Sequence, residues 1–245
     1  MLIIPAIDIL GGRCVRLYQG DYNQVSTYDH DLHSVCTNWV EAGAKRIHLV
    51  DLDGAKAGRP INHRAIIKLA QSFPTTSFET GGGVRTMEDA SLFLQAGLDF
   101  VILGSIACTN PKAALAIITR FPGQILLGLD AQDDQVKIAG WLSGTGKTCL
   151  EVLAPFMGSQ VAGIVHTDIA RDGTLEGANL KASARLARHS GIPVIASGGV
   201  SNMQDIERLR NYKGQLVGAI VGKALYEQRL ELAEAIEAID SHRAN

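Results

Sequence analysis

GGGVRTMEDASLFLQAGLDFVILGS (81–105) and SGGVSNMQDIERLRNYKGQLVGAIVGK (197–223) are one pattern written twice. Each opens on glycines, passes through a stretch with apolar residues three and four apart, and ends in a short apolar run followed by glycine. That order is strand end, helix, strand. Two further pairs extend the match: LIIPAID (2–8) with QILLGLD (124–130), and HLVDLDGAKAG (48–58) with VHTDIARDGTLEG (165–177). Asp8 to Asp130 is 122 residues, Gly83 to Gly199 is 116 and Gly104 to Gly222 is 118. Small loop insertions account for the drift, and chance does not preserve order and spacing over separate segments. The halves fall at about 1–123 and 124–245.

Each half holds four short apolar runs: Leu2–Ile7, Arg46–Val50, Thr76–Glu79 and Phe100–Leu103, then Ile125–Leu129, Gly163–His166, Pro193–Ala196 and Val217–Val221. Amphipathic stretches such as Asn62–Gln71, Thr86–Gln95, Pro111–Arg120 and Asn202–Leu209 lie between them. Thr86, Asn110 before Pro111, and Ser201 mark helix starts. Strands alternating with helices imply a parallel sheet covered by helices. A doubly wound open sheet also fits the alternation, but duplication favours closure, since two equal halves can close where an open sheet leaves edges. The expected fold is α/β, a (β/α)8 barrel of two repeated half-barrels forming one domain over residues 1–245, with no Pro/Gly/Ser-rich linker between them.

The composition excludes several functions. A formal net charge of −2 gives no attraction to nucleic acid or an anionic membrane. No apolar run is long enough to span a bilayer, and MLIIPAIDIL lacks the basic region of a signal peptide. Cys14, Cys36, Cys108 and Cys149 form no CxxC pair, which points to free thiols in a reducing cytoplasm. The seven histidines have no metal-ligand spacing, so no metal is expected, and His48 and His166 are expected to be packed or hydrogen-bonded within strands. GTGKT (144–148) resembles the end of a nucleotide-binding loop, but the pattern needs glycine where Trp141 stands. Asp133 and Asp134 read as a solvated turn.

In such barrels the active site lies at the C-terminal ends of the strands. Asp8 and Asp130 end equivalent strands on opposite sides of that mouth, and Asp51 and Asp168 end the next pair. A strand-end aspartate can equally be a helix cap. The repetition after wholly apolar strands favours Asp8 and Asp130 as proton-transfer groups, because an apolar surrounding raises a carboxyl pKa. Glycines follow four strands: Gly82 and Gly83, Gly104 with Ser105, Gly198 with Gly199, and Gly222 with Lys223. Glycine lets backbone N–H groups approach a phosphate closely. Two symmetric seats imply a small-molecule ligand with a phosphate at each end.

These residues resemble the histidine-biosynthesis isomerases that convert the N′-formimino aminoaldose ribotide (ProFAR) to its aminoketose (PRFAR). PAIDILGGRCVRLYQGDY (5–22), HLVDLDGA (48–55), GGGVR (81–85), GLDA (128–131), GW (140–141), TDIARDGTLEGAN (167–179) and SGGV (197–200) carry the resemblance over nearly the whole chain. It implies an Amadori rearrangement with Asp8 as general base and Asp130 as general acid, without cofactor. It further implies that Thr167 and Asp172 support the sugar and that Arg16, Arg85 and Trp141 contact or cover it. Asp51 and Gly177 are counted with the substrate-binding residues. The protein is expected to act as a monomer. The sister cyclase resembles this chain less: it commonly has Cys-Leu-Asp where Ala6-Ile7-Asp8 stands here. An isomerase that also accepts phosphoribosylanthranilate remains an alternative, as does a binder without catalysis. One departure stands out: Glu79 occupies a position where the family commonly has glutamine, and beside a phosphate it needs a cationic partner, Arg85 or a strand neighbour.

Overall fold

A computed structural model describes residues 1–28 and 31–241. The elements are β1 (Leu2–Leu10), β2 (Arg13–Tyr18), β3 (Asp21–Thr27), α1 (Leu32–Glu41), β4 (Arg46–Asp51), α2 (Leu52–Ala57), α3 (His63–Ser72), β5 (Ser77–Gly81), α4 (Met87–Leu94), β6 (Phe100–Leu103), α5 (Ser105–Thr109) and α6 (Pro111–Arg120). They continue as β7 (Ile125–Gln132), β8 (Gln135–Ile138), β9 (Ser143–Thr148), α7 (Cys149–Leu153), β10 (Gly163–Asp168), α8 (Leu180–Ser190), β11 (Val194–Ser197), α9 (Met203–Arg210), β12 (Leu216–Val221), α10 (Lys223–Tyr226) and α11 (Leu232–Asp240). Eight of the strands pair in parallel in the order β10-β11-β12-β1-β4-β5-β6-β7, and β7 pairs again with β10. The sheet is therefore a closed (β/α)8 barrel, as expected.

The strands are apolar on both faces because both are buried. Inward residues Ile4, Ala6, Ile102, Leu126, Val165, Ile195 and Ile220 fill the barrel. Outward ones such as Ile7, Leu49, Phe78 and Val101 pack under the helices with Ile66, Phe93 and Ile117. Each such side chain, fully buried, contributes roughly 1.5–3 kcal/mol. Thr86 caps α4 in a capping box with Asp89, and Asn110 caps α6 ahead of Pro111. The cap of α9 is Asn202, one residue after the expected Ser201. Ser201 instead donates its backbone N–H and hydroxyl to Asp205.

Two pieces of structure lie outside the sequence-based expectation. The first strand of each half runs past its aspartate, to Leu10 and to Gln132, and carries an antiparallel extension: β2 and β3 on β1, β8 and β9 on β7. Asp8 and Asp130 thus sit within strands, each paired on one side with a barrel strand and on the other with its hairpin. GTGKT lies in β9, paired antiparallel with β8, and runs directly into α7, whose N-cap is Thr148. Asp133 and Asp134 form the β7–β8 turn with φ of 51° and 66°, and Asp134 pairs with Arg185 at 3.5 Å.

The repeat also has a structural use for Asp51. Its side chain accepts from the backbone N–H of Gly54 (2.8 Å), Ile61 (2.7 Å) and Asn62 (2.8 Å) and from Asn62 Nδ2 (2.7 Å), and the residue is 0 % exposed. Asp168 in the second half accepts from the Ala170 N–H and from Asn179 Nδ2. Asp51 was expected among the substrate-binding residues. The structure makes it the cap of α2 and the knot of the loop behind the mouth, where both side-chain oxygens already accept hydrogen bonds. Asp51→Ala strands those donors and is expected to destabilise the fold by about 2–4 kcal/mol in urea denaturation, with Asp168→Ala costing clearly less. Equal losses would contradict this assignment.

Candidate active site

Inward-facing residues near the mouth change from aliphatic to polar, and there the strands enclose an open cavity of about 210 Å³. It brings together Asp8, Arg16, Gly82, Gly83, Arg85, Gly104, Ser105, Asp130, Trp141, Thr167 and Asp172. A small adjoining crevice, of about 10 Å³, shares Arg16 and Asp172 and is lined by Gly198, Gly199, Gly222 and Lys223. Of the residues named from the sequence, Asp51 and Gly177 line neither. Gly177 supports the second glycine pair from behind, donating its N–H to Gly199 O at 3.0 Å.

The glycines are required by geometry. Gly82 and Gly83 have φ of 103° and 84°, and Gly198 and Gly199 have 88° and 86°, values that side chains rarely adopt. A Cβ at Gly83 would stand 2.5 Å from Gly54 O, and one at Gly199 2.6 Å from Gly177 O. The two glycine pairs therefore occupy matching crevices in the two halves. Gly104 and Gly222 also match, each accepting at its carbonyl from the N–H three residues on, at the start of α5 and of α10.

Asp8 and Asp130, the pair expected from the sequence to move protons, stand in different electrostatic settings. Asp8 accepts from Arg16 Nη1 at 2.8 Å, and Arg16 Nη2 lies 3.5 Å from Asp172. Burial works against the Arg16 charge, yet the two carboxylates push its pKa up. The guanidinium also lies over Gly222, facing the second glycine crevice. Among the described residues Asp130 has no salt-bridge partner. Burial pushes its pKa up, and hydrogen bonds from Trp141 and Thr167 pull it only partly back, as a positive His48 would too. Burial likewise raises Asp172, against the opposing pull of Arg16. One carboxylate is thus tied into an ion pair, while the one across the cavity is biased towards holding a proton.

Loop residues complete the enclosure. Trp141 has φ of 70°, sits in the β8–β9 turn and packs on the face of Gly20 in the β2–β3 turn, so the two hairpins meet over the cavity. The Ser105 hydroxyl accepts from Ala139 N–H at 3.1 Å and ties that turn to α5. Lys223 Nζ donates to Gly173 O at 2.9 Å and lies 3.6 Å from Glu227. Arg85 lies against Gly58 and reaches the cavity, away from Glu79. Glu79 is partnered by its strand neighbours instead: Oε1 is 2.7 Å from His48 Nδ1 and Oε2 is 3.3 Å from Arg46 Nη1. His48 is hydrogen-bonded, as expected, and so is His166, to Ser183 at 2.8 Å.

The sequence reading missed His48, Ser197, Tyr22 and Lys137 as cavity residues. The alternation of strands could have found the first two: Asp8 and His48 sit on neighbouring strands at inward positions, as do Thr167 and Ser197. Tyr22 and Lys137 lie on the hairpins and give no such signal. All four cysteines are free. Among the described residues no group of three or more His, Cys, Asp or Glu side chains is placed to hold a metal ion, and no helix is long and apolar enough to cross a membrane.

Fold and site together define a (β/α)8 barrel with carboxylates set across a twofold-repeated mouth. The family model described as "Histidine biosynthesis protein" matches residues 2–231. A protein of Hahella chejuensis is 43% identical over 242 residues, covering 98% of this chain and 99% of its own. One of Marinobacter nauticus is 44% identical over 242 residues, with the same shares. One of Cyanothece sp. is 45% identical over 244 residues, covering 99% and 95%. All three bear the name 1-(5-phosphoribosyl)-5-((5-phosphoribosylamino)methylideneamino) imidazole-4-carboxamide isomerase. The chain belongs to this histidine biosynthesis family.

The raised pKa of Asp130 has a consequence for stability. Well below the ordinary value of 3.8 both folded and unfolded chains hold the proton, so the site costs nothing. As pH rises through that value the unfolded chain ionises first, and stability is lost towards neutral pH. Asp130→Asn is therefore expected to match the parent protein in Tm at low pH and to exceed it as pH rises above 3.8, the gap levelling off above the raised pKa, in thermal melts from low pH to neutrality. A gap that is constant or that widens on acidification would contradict this.

Proposed function

We propose that this enzyme converts ProFAR to PRFAR by an Amadori rearrangement. The observation that carries the reading is a chain-long match to proteins named as this isomerase, joined to a carboxylate pair in unlike environments across one cavity. The chemistry needs a proton delivered to the furanose ring oxygen, which opens the ring to a Schiff base. It then needs the C2′ proton removed, giving an enolamine that becomes the ketone. Asp130, biased towards its protonated form, suits delivery. Asp8, ion-paired to Arg16, suits removal. General acid–base groups of this kind contribute about 10²–10⁴-fold each.

Thr167 and Asp172 flank the reacting sugar in this reading, and Trp141 stacks on the imidazole while covering it. One phosphate occupies the crevice of Gly82, Gly83, Gly104 and Ser105, near Arg85. The other occupies that of Gly198, Gly199, Gly222 and Lys223, facing Arg16. The backbone N–H groups of such crevices favour anions. The free cysteines suit a cytoplasmic enzyme, which acts as a monomer without metal or organic cofactor.

Purified protein is expected to turn over ProFAR without ammonia or a glutaminase partner; no turnover would sink the reading. Phosphoribosylanthranilate in a parallel assay reads the breadth of substrate. Asp8→Asn and Asp130→Asn are each expected to lower kcat by at least ~10²-fold with the circular-dichroism spectrum unchanged. Lys147→Ala in β9 is expected to retain activity, and abolished turnover would restore a role to the GTGKT segment.

A further inference from the structure

The barrel interior breaks the symmetry of its two halves at one place. Inward positions of β4 and β5 hold Arg46, His48 and Glu79, whereas the corresponding positions of β10 and β11 hold Gly163, Val165 and Ile195. The registers match: His48 pairs with Glu79 across its strands as Val165 pairs with Ile195 across the other two. The fold therefore accepts apolar residues at this level. A buried charge cluster carries a desolvation cost that apolar packing of the same space avoids.

Hydrogen-bond capacity limits how the cluster can be wired. Glu79 is 0 % exposed, with one oxygen towards Arg46 and the other 2.7 Å from His48 Nδ1. Arginine can only donate, so the Glu79 oxygen that faces Arg46 accepts. With the other oxygen accepting from the ring as well, Nδ1 carries the proton of His48 and Nε2 is left as the free nitrogen; this is the arrangement the proposal below adopts. Nε2 makes no hydrogen bond among the described residues, and His48 lines the cavity together with Asp8, Asp130 and Thr167. The guanidinium of Arg46 is held in turn over the Phe100 ring, 4.1 Å from its centroid.

We propose that Glu79 is a positioning residue for the isomerisation: it fixes the proton of His48 on Nδ1 and holds Nε2 in the cavity to bind a sugar hydroxyl between Asp8 and Asp130. The inference rests on the isomerase reading for its substrate, but the tautomer it requires belongs to the protein alone. A hydroxyl both donates and accepts, so it can meet Nε2 in either charge state of the ring. Arg46 serves by keeping the second oxygen of Glu79 occupied.

The test uses the full chain labelled with ¹⁵N-histidine, the His48 signals being assigned by comparison with His48→Asn. Parent protein is expected to show Nδ1 protonated. A ring protonated on Nε2 alone would overturn the proposal whatever the variants do. Arg46→Leu/Glu79→Leu copies the apolar second half and is expected to keep the parent Tm within a few degrees. It should lose the fixed Nδ1–H signature and lower kcat for ProFAR at least about tenfold, with KM within about threefold. Arg46→Leu/Glu79→Gln, whose amide oxygen can still accept from Nδ1, is expected to restore kcat to within about threefold of the parent. A leucine pair with parent kcat, or a loss confined to KM, overturns the positioning role. If the parent protein fails to turn over ProFAR, the isomerase reading falls while the tautomer result stands by itself.

Discussion

A closed parallel barrel points every second residue of its strands inward, and pairing of β7 with β10 leaves those side chains no outlet but the two ends. Low in the barrel that constraint is met by close packing of Ile4, Leu126, Ile195 and their neighbours. At the mouth the same alternation delivers Asp8, Asp130 and Thr167 to one enclosed space. The apolar floor beneath them is what raises the Asp130 pKa, since burial is its largest cause. Fold and chemistry therefore share one origin. The packing that stabilises the barrel also sets the proton affinity of a carboxyl at its end.

Duplication supplies the rest. Loops equivalent in the two halves place glycine pairs with φ near 90° against equivalent backbone carbonyls, so the mouth has matching crevices on opposite sides. A ligand with a phosphate at each end suits such a pair. The halves have diverged where their tasks differ. Arg16 on β2 ties Asp8 into an ion pair, while the β8–β9 turn brings Trp141 to Asp130 instead. Below them, Arg46, His48 and Glu79 replace aliphatic packing on one side only.

The sequence made the barrel legible through its repeat, because a strand buried on both faces must be continuously apolar and cannot drift far in register. The strand Phe100–Leu103 was read to the residue for that reason. Strand ends at Asp8 and Asp130 were read too early: the continuation into hairpins is held by pairing, and SGTGKT in β9 has no apolar alternation to betray a strand. Trp141 was noticed through its resemblance to a family, since a tryptophan at positive φ in a turn has no local signal. Asp51 shows a different ambiguity. A strand-end aspartate serves equally as a cap or as a site residue, and only the three-dimensional position of Asn62 and the Ile61 N–H decides for the cap. The partners of Glu79 were half legible, as a strand neighbour was one of the options considered, but its pairing with both Arg46 and His48 depends on inward alternation across two strands.

In the function proposed above, the repeated mouth presents two equivalent anion seats facing one acid–base pair. Crystals of the protein soaked in sulfate or inorganic phosphate test this most directly. The account predicts an anion at each crevice, one on the backbone around Gly82, Gly83 and Gly104 and one around Gly198, Gly199 and Gly222. Anions at neither crevice, or bound only by surface lysines elsewhere, would contradict it.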